Sequence, residues 1–346
     1  MFGTYRTLLA PMVVAMHLGG VPSIGSYAVF GFYILSGYLM TFIMQNNYGY
    51  NSPGILRYVA NRFLRIFPIY WVSILFSVAL IVVLGEKFSS DYQRSMVYPR
   101  TMSDILKNIF LFFSFRDSPR LSPPTWALTV ELFFYILIGI GLSKSKWLVC
   151  CWLGLSLLYH AIAVTMEFGW GNIYYSIPAA SLPFATGAFI YHFKDEISGA
   201  IDAIQGKVDK SFPIIIFCAL VGNGLAGYLC GQLKGFFFYT NYLLCAVMVV
   251  VLSQRKTLPL ITKRFDSWMG DFSYPIYLIH FQVGLVVVFL LSKTGLDYER
   301  PHLGVMFASV PLIFITSWLF TVGVERPIER VRDRVKRIHI GMPVEK

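Results

Sequence analysis

Charged side chains are scarce in this sequence of 346 residues. Asp, Glu, Lys and Arg make up 14% of the chain, whereas a typical soluble domain has about 25%. Hydrophobic residues make up 56%, the mean hydropathy is +0.61, and no polar block is long enough for a separate soluble domain. A soluble fold of this length cannot bury so much apolar surface, so the composition indicates one polytopic membrane domain.

Cysteine is also scarce, and its positions do not suggest a covalent framework. The five cysteines are Cys150, Cys151, Cys218, Cys230 and Cys245. They lie in or beside hydrophobic segments, without CxxC spacing or metal-ligand partners. Zinc-ligand patterns and Gly-rich phosphate loops are missing from the whole sequence. The cysteines are therefore interpreted as small apolar residues, and no metal site is predicted.

The sequence shows neither an internal repeat nor a low-complexity tract. Apolar windows recur instead, and a helix needs about 20 apolar residues to cross a bilayer. We therefore predict an all-α membrane protein with about ten transmembrane helices. Their approximate positions are 4–22, 27–46, 66–85, 125–142, 146–166, 173–193, 212–230, 234–253, 271–292 and 303–323. The first stretch resembles a signal peptide, but the spans that follow it favour an uncleaved helix.

The distribution of Lys and Arg predicts the orientation. With a cytoplasmic N-terminus, about two-thirds of the 29 Lys and Arg residues face the cytoplasm, as the positive-inside rule requires. Both termini are then cytoplasmic, and the long loop at about 86–124 is extracytoplasmic, with an interfacial or re-entrant helix at 103–115. Residues 1–325 form the membrane domain, and 326–346 form a basic tail along anionic lipid headgroups. Lipid binding explains the net charge of +11 without a nucleic-acid partner.

Ionisable residues within predicted spans are expensive and therefore informative, at about 2.5–3.5 kcal/mol for a charge at the centre of a helix. Arg6 and His17 are eleven residues apart, so they lie on one face of the first helix, about 16 Å from each other. Glu131 interrupts the apolar run TWALTVELFFYIL at a similar predicted depth to His17. The two side chains could share a polar cavity. Two alternatives remain open: His17 could simply form a hydrogen bond with a neighbouring helix, and Glu131 could be a partner in a structural ion pair.

Two further groups of residues flank these spans. Arg62 and Arg65 in NRFLRIFPIYW share a helix face at the cytoplasmic end of the third span, with Arg57 one to two turns earlier. They suit either membrane anchoring or phosphate binding, for which the guanidinium fork is well shaped. Tyr277 and His280 in FSYPIYLIHF lie one turn apart near the middle of the ninth span. On chemistry alone, His280 is a packing or network residue rather than a catalyst.

These stretches together resemble the membrane acyltransferase 3 family of bacterial integral-membrane O-acyltransferases, over about residues 1–327. Five family motifs occur in the family's order: R-x10-H (Arg6, His17), the SG signature in GFYILSGYLM, R-x-x-R (Arg62, Arg65), W-x-L-x-x-E-x-x-x-Y (Trp126, Glu131, Tyr135) and SYPIYLIH (Tyr277, His280). Each motif is weak alone. The chain departs from the family at Ala127, where Ser is common, and at Leu132-Phe133, where polar residues are common. We therefore expect the hydrogen bonding around Glu131 to differ from that in the family.

The resemblance implies transfer of an acyl group, usually acetyl from acetyl-CoA, to a hydroxyl of a surface or exported glycan or glycolipid. His17 and Glu131 are then the catalytic residues, with His17 as general base. The implied acyl-CoA-binding residues are Arg6, Arg57, Arg62 and Arg65, and the supporting residues are Trp126, Tyr135, Tyr277 and His280. No metal cofactor is implied.

The resemblance also implies a location in the bacterial cytoplasmic (inner) membrane, possible polysaccharide biosynthesis or export proteins as partners, and the lipid bilayer as surroundings. Direct transfer and an acyl-His17 intermediate both remain open, as do the acceptor and the length of the acyl chain. The alternative is a transporter or flippase for a lipid-linked saccharide, which also uses about ten helices with buried charges. A structural subunit of an export complex would leave the buried charges without a role.

Overall fold

The computed structural model describes residues 2–113, 119–205, 211–254, 261–296 and 299–337, and in this part of the chain it is helical without a strand. Thirteen α-helices occur in it: α1 Gly3–Gly19, α2 Ile24–Ile43, α3 Ser52–Leu84, α4 Glu86–Tyr92, α5 Met102–Phe110, α6 Trp126–Gly139, α7 Lys146–Thr165, α8 Ile177–Gln205, α9 Phe212–Leu229, α10 Phe236–Ser253, α11 Lys263–Lys293, α12 Leu303–Phe320 and α13 Arg326–Arg337. The predicted all-α class is confirmed.

Each of the ten predicted spans coincides with a helix, but the helices differ in length and hydropathy. Among the described residues, seven stretches are long and apolar enough to cross a membrane: Ile24–Tyr48, Ser52–Leu84, Lys146–Thr165, Phe212–Leu229, Phe236–Ser253, Lys263–Lys293 and Leu303–Asp333. Helices α1 and α6 are shorter, with 17 and 14 residues, and α8 is not among the seven. The structure thus shows a multi-pass architecture, while ten crossings and the absolute orientation stay predictions.

Helices α1 and α11 run side by side in the same direction. The backbone amides of Gly3 and Thr4 donate to the Asp266 carboxylate, at 3.2 and 2.9 Å, so a carboxylate meets the positive end of α1. Further along, the Thr7 hydroxyl donates to the carbonyl of Met269. Successive predicted spans cross the membrane in alternating directions, so the first and the ninth should run in the same direction, as α1 and α11 do.

The predicted outer loop and tail are partly helical. The loop contains α4 and α5, and α5 overlaps the predicted short helix at 103–115, of which residues 114 and 115 lie outside the described part. A π-helical turn, Thr321–Glu325, joins α12 to α13, and α13 packs against α3. Residues 338–346 of the predicted tail lie outside the described residues. The domain boundary at 325 and the contact with lipid headgroups stay predictions.

Helices α2 and α8 cross at very close range through two glycines. A Cβ added to Gly37 would lie 2.2 Å from the carbonyl oxygen of Phe184, and one added to Gly187 would lie 2.0 Å from that of Ile34. Small residues allow membrane helices to approach in this way and gain van der Waals contact between backbones. The glycine of the SG motif is therefore explained by packing.

We expect Gly37→Ala and Gly187→Ala each to lower the thermal unfolding midpoint of the purified protein in detergent. The added methyl group would clash with backbone atoms, and this clash cannot be relieved by a change of side-chain rotamer. Overpacking of this kind costs about 1–3 kcal/mol. The matched control is Gly222→Ala in α9, where no atom lies within 4 Å of an added Cβ. Equal midpoints for all three variants would contradict the proposed close contact.

Candidate functional site

A cavity of about 480 Å³ lies among α1, α2, α3, α6, α11 and α13. It extends from Phe2 and Gly3, at the start of α1, to Tyr277 in the middle of α11. Its lining combines apolar and aromatic side chains with four arginines: Arg6, Arg62, Arg65 and Arg332. The structure thus brings three of the four predicted phosphate-binding arginines into one cavity and adds a fourth from α13.

The predicted arginines differ in their partners. Arg65 forms an ion pair with Glu325, whose side chain is only 7% exposed. Arg62 donates to the side-chain oxygen of Asn61 at 2.8 Å. Arg57 is not among the residues that line the cavity, and its Nε donates to the carbonyl of Pro53. Binding of a ligand in this cavity is therefore better supported for Arg6 and Arg62 than for Arg57.

Glu131 lines the same cavity and is bonded to the predicted supporting residue Tyr135 and to a second residue, Ser36, that the sequence did not predict. The hydroxyls of Ser36, at 2.5 Å, and of Tyr135 both donate to its Oε1 atom. Ser36 comes from the SG motif on α2, so this motif was the available signal for a site residue that we did not predict. In the described part of the chain, Glu131 makes no hydrogen bond to His17, and its other oxygen, Oε2, makes none to any protein group.

His17 is paired with His280 instead. Their atoms Nδ1 and Nε2 are 2.9 Å apart, the ring planes differ by 2°, and the ring centroids lie 5.1 Å apart. This centroid distance is close to the N–N distance plus the two ring radii. The rings therefore meet edge to edge in one plane, which is the geometry of an N–H···N hydrogen bond rather than of ring stacking.

The hydrogen bonds of this pair assign the tautomer of each neutral ring. His280 Nδ1 lies 2.8 Å from the carbonyl oxygen of Tyr277, and because a carbonyl only accepts, Nδ1 carries the proton. His280 Nε2 then has a lone pair and accepts from His17 Nδ1–H. His17 Nε2 is left with a free lone pair, as a general base or nucleophile requires.

The histidine pair lies beyond the end of the cavity. Neither His17 nor His280 is among the lining residues, whereas Tyr277, one turn before His280, is. The Tyr277 hydroxyl donates to the carbonyl of Pro124 at 2.7 Å, and its ring packs edge-on against Phe32, with centroids 6.4 Å apart. Tyr277 and Phe32 therefore line the cavity where it comes nearest to the histidines along α11.

The remaining predicted residue, Trp126, belongs to an aromatic cluster. Its ring packs edge-on against Tyr174 and Tyr175, with centroids 5.7 and 4.9 Å apart. Trp126 is 7% exposed and does not line the cavity. Trp126 thus packs within this cluster at the start of α6, and its supporting role stays a prediction. Among the described residues, no three His, Cys, Asp or Glu side chains are grouped so as to hold a metal ion.

Comparison with known families identifies this architecture. A family described as an acyltransferase domain, acyltransferase 3, matches residues 3–322. The chain belongs to the membrane acyltransferase 3 family. The resemblance of the five motifs is thereby confirmed, and the protein is a membrane acyltransferase by family. No solved structure matches the chain.

Three relatives share about a quarter of their aligned residues with this chain. A putative peptidoglycan O-acetyltransferase of Bacillus subtilis is 25% identical over 86% of this acyltransferase, which spans only 49% of that relative. An exopolysaccharide production protein of Rhizobium meliloti is 24% identical, over 92% of this chain and 94% of the relative. An O-acetyl transferase of Shigella phage Sf6 is 24% identical, over 92% and 93%.

The Arg65–Glu325 ion pair predicts a large effect on stability. We expect Glu325→Gln to lower the thermal unfolding midpoint strongly, because removing one partner of a buried pair costs about 3–5 kcal/mol. The control is Glu196→Gln, which breaks the Lys146–Glu196 pair, whose side chains are 54% and 56% exposed. This control should change the midpoint little. A small effect of Glu325→Gln would mean that Arg65 finds another anion or water.

Proposed function

We propose that this acyltransferase moves an acetyl group from acetyl-CoA, bound from the cytoplasmic side, to a hydroxyl of an exported or surface glycan. The observation that carries the proposal is the cavity itself, which holds four arginines and ends one turn of helix from the histidine pair. The relatives named as O-acetyltransferases and as an exopolysaccharide production protein support a glycan acceptor. The bacterial inner membrane is the location that this chemistry requires, since acyl-CoA is made in the cytoplasm.

The distance from the arginines to His17 suits acetyl-CoA as donor. Its phosphates would bind the arginines, and the pantetheine arm would lie along the cavity toward Tyr277. His17 lies about 16 Å from Arg6 by helix rise, which an extended pantetheine arm spans. Glu131 lines this path, and its Oε2 atom can accept a hydrogen bond from an amide of the arm. We therefore assign Glu131 to donor positioning, with Ser36 and Tyr135 holding its carboxylate.

The proposed chemistry uses the free nitrogen of His17. In direct transfer, His17 Nε2 takes the proton of the acceptor hydroxyl as its oxygen attacks the thioester carbonyl. The C–S bond then breaks, and the CoA thiolate takes the proton from the imidazolium. General-base catalysis of this kind typically contributes 10²–10⁴-fold. In an acyl-His17 route, the same nitrogen would first carry the acetyl group.

His280 takes the orienting role that the sequence had suggested for Glu131. It accepts from His17 Nδ1–H, so it holds the ring and keeps Nε2 deprotonated, which is the service that a carboxylate performs in catalytic triads. Because the cavity ends at Tyr277, contact between the thioester and His17 requires Tyr277 and Phe32 to move aside. The acceptor would then approach His17 from the opposite, extracytoplasmic side.

We expect His17→Ala to abolish transfer of labelled acetyl from acetyl-CoA into glycan or glycolipid. The assay compares membrane vesicles with wild-type and variant protein at matched amounts, because the loss must not reflect poor insertion. Equal transfer by both proteins would exclude His17 as the base. Saccharide transport by wild type without acceptor-dependent cleavage of the thioester would favour the alternative of a transporter or flippase.

His280 should behave as a positioning residue. We expect His280→Leu to lower kcat by up to about tenfold with little change in the KM for acetyl-CoA, since it removes the acceptor of the His17 proton and a neutral hydrogen bond contributes about 0.5–1.5 kcal/mol. His280→Gln should recover part of kcat, because its amide oxygen can accept the same hydrogen bond. If His280→Leu and His280→Gln lose activity equally, or if KM rises instead of kcat falling, the tautomer role is wrong.

A further inference from the structure

One arginine of the cavity lies outside every motif that suggested the function. Arg332 belongs to α13, in the segment that composition alone predicts to be a basic tail. It is 7% exposed and lines the cavity beside Arg62, whereas its neighbours Arg326 and Arg330 on the same helix are exposed. Of these three arginines on α13, only Arg332 is thus buried within the protein.

Arg332 and Arg62 converge on one neutral atom. The Nη2 atoms of Arg62 and Arg332 donate to the same side-chain oxygen of Asn61, at 2.8 and 3.3 Å. These two nitrogens therefore lie within about 6 Å of each other, a range at which like charges repel in a partly buried site. A single amide oxygen does not offset the positive charges of the buried Arg332 and the half-buried Arg62.

The carboxylates near this pair offset its charge only in part: Glu329 and Glu325 attract Arg332, but Arg65 and Arg62 repel it more strongly. Asp266 is bonded to the start of α1, and Glu325 is paired with Arg65. Asp271 and Glu329 also line the cavity, but no ion pair or hydrogen bond joins either of them to Arg62 or Arg332 among the described residues. In addition, the Nε atoms of Arg62 and of Arg332 are buried without a hydrogen-bond partner.

We propose that Arg62 and Arg332 together bind a phosphate of the acyl donor, so that α13 supplies part of the donor site. Two guanidinium forks around a shared centre suit a phosphate, which offers several acceptor oxygens and up to two negative charges. The identity of the donor rests on the proposed function, whereas the phosphate site rests on these contacts.

The test compares Arg332→Ala with Arg330→Ala, which removes an equal charge from an exposed position on α13. The apparent KM is measured for acetyl-CoA and for S-acetylpantetheine, which lacks phosphate. For acetyl-CoA, Arg332→Ala should raise KM about 10–100-fold, as expected when hydrogen bonds to a charged group are lost. Arg330→Ala should not change it, and neither variant should change the KM for S-acetylpantetheine. Arg332→Lys, which keeps the charge, should recover part of the loss.

Two results would overturn this assignment. An unchanged KM for acetyl-CoA in Arg332→Ala would mean that another anion, such as a lipid phosphate, occupies the site. An equal rise in KM for both donors would mean that Arg332 acts on the fold of the cavity rather than on phosphate. Folding is checked by the thermal unfolding midpoint, and the comparison is repeated with Arg332→Lys if the alanine variant does not fold.

A direct binding measurement separates this proposal from the proposed function. Calorimetry with inorganic pyrophosphate on the purified wild type, Arg62→Ala, Arg332→Ala and Arg330→Ala does not depend on catalysis. We expect binding that is weakened by the first two substitutions and kept by the third. Such binding without acetyl transfer would sustain the phosphate site while refuting the acetyl-CoA reaction. Binding that is insensitive to Arg332 would refute the phosphate site whatever the protein catalyses.

Discussion

The parallel packing of α1 on α11 positions most of the candidate site. At one end, the Asp266 carboxylate holds the first amides of α1, and a Cβ at Gly3 would overlap the backbone of Asp266, so the two helices have little freedom to slide. At the other end, Arg300 donates to the carbonyl of His17 at 3.0 Å. Between these contacts the alignment of α1 with α11 is constant, and it places His17 beside His280. Because both helices are rigid, the same alignment also positions Arg6 and Tyr277 in the lining of the cavity.

The buried charges of the membrane region fall into two groups. Glu131 and Arg65 have partners within the protein: Ser36 and Tyr135 for the first, and Glu325 for the second. Arg62 and Arg332 share one neutral oxygen, and in the described part of the chain neither forms a direct ion pair. Since an unpaired buried charge is costly, the first group is compatible with a structural role. The second group is stabilised best when an anion is present.

The arginine-lined cavity and the histidine pair are adjacent but separate in this structure. Tyr277 belongs to both regions, because its side chain ends the cavity and its carbonyl oxygen fixes the proton on His280. Movement of the Tyr277 side chain would therefore open a path without disturbing the carbonyl that orients the histidines. Tyr277 thus acts on the cavity through its side chain and on the proposed base through its backbone.

The sequence by itself determined the helices and the chemical types of the site residues. Runs of apolar residues located ten helices, and the eleven-residue spacing of Arg6 and His17 followed from helix geometry. Family motifs supplied the residues, and the matched family confirms the resemblance. The tertiary structure decided the partners: His280 for His17, Ser36 for Glu131, and Arg332 for Arg62. These contacts join residues far apart in the chain, and hydropathy fixes where a helix lies in the membrane but not which helix packs beside it. Only the packing of backbones and side chains in three dimensions makes that choice.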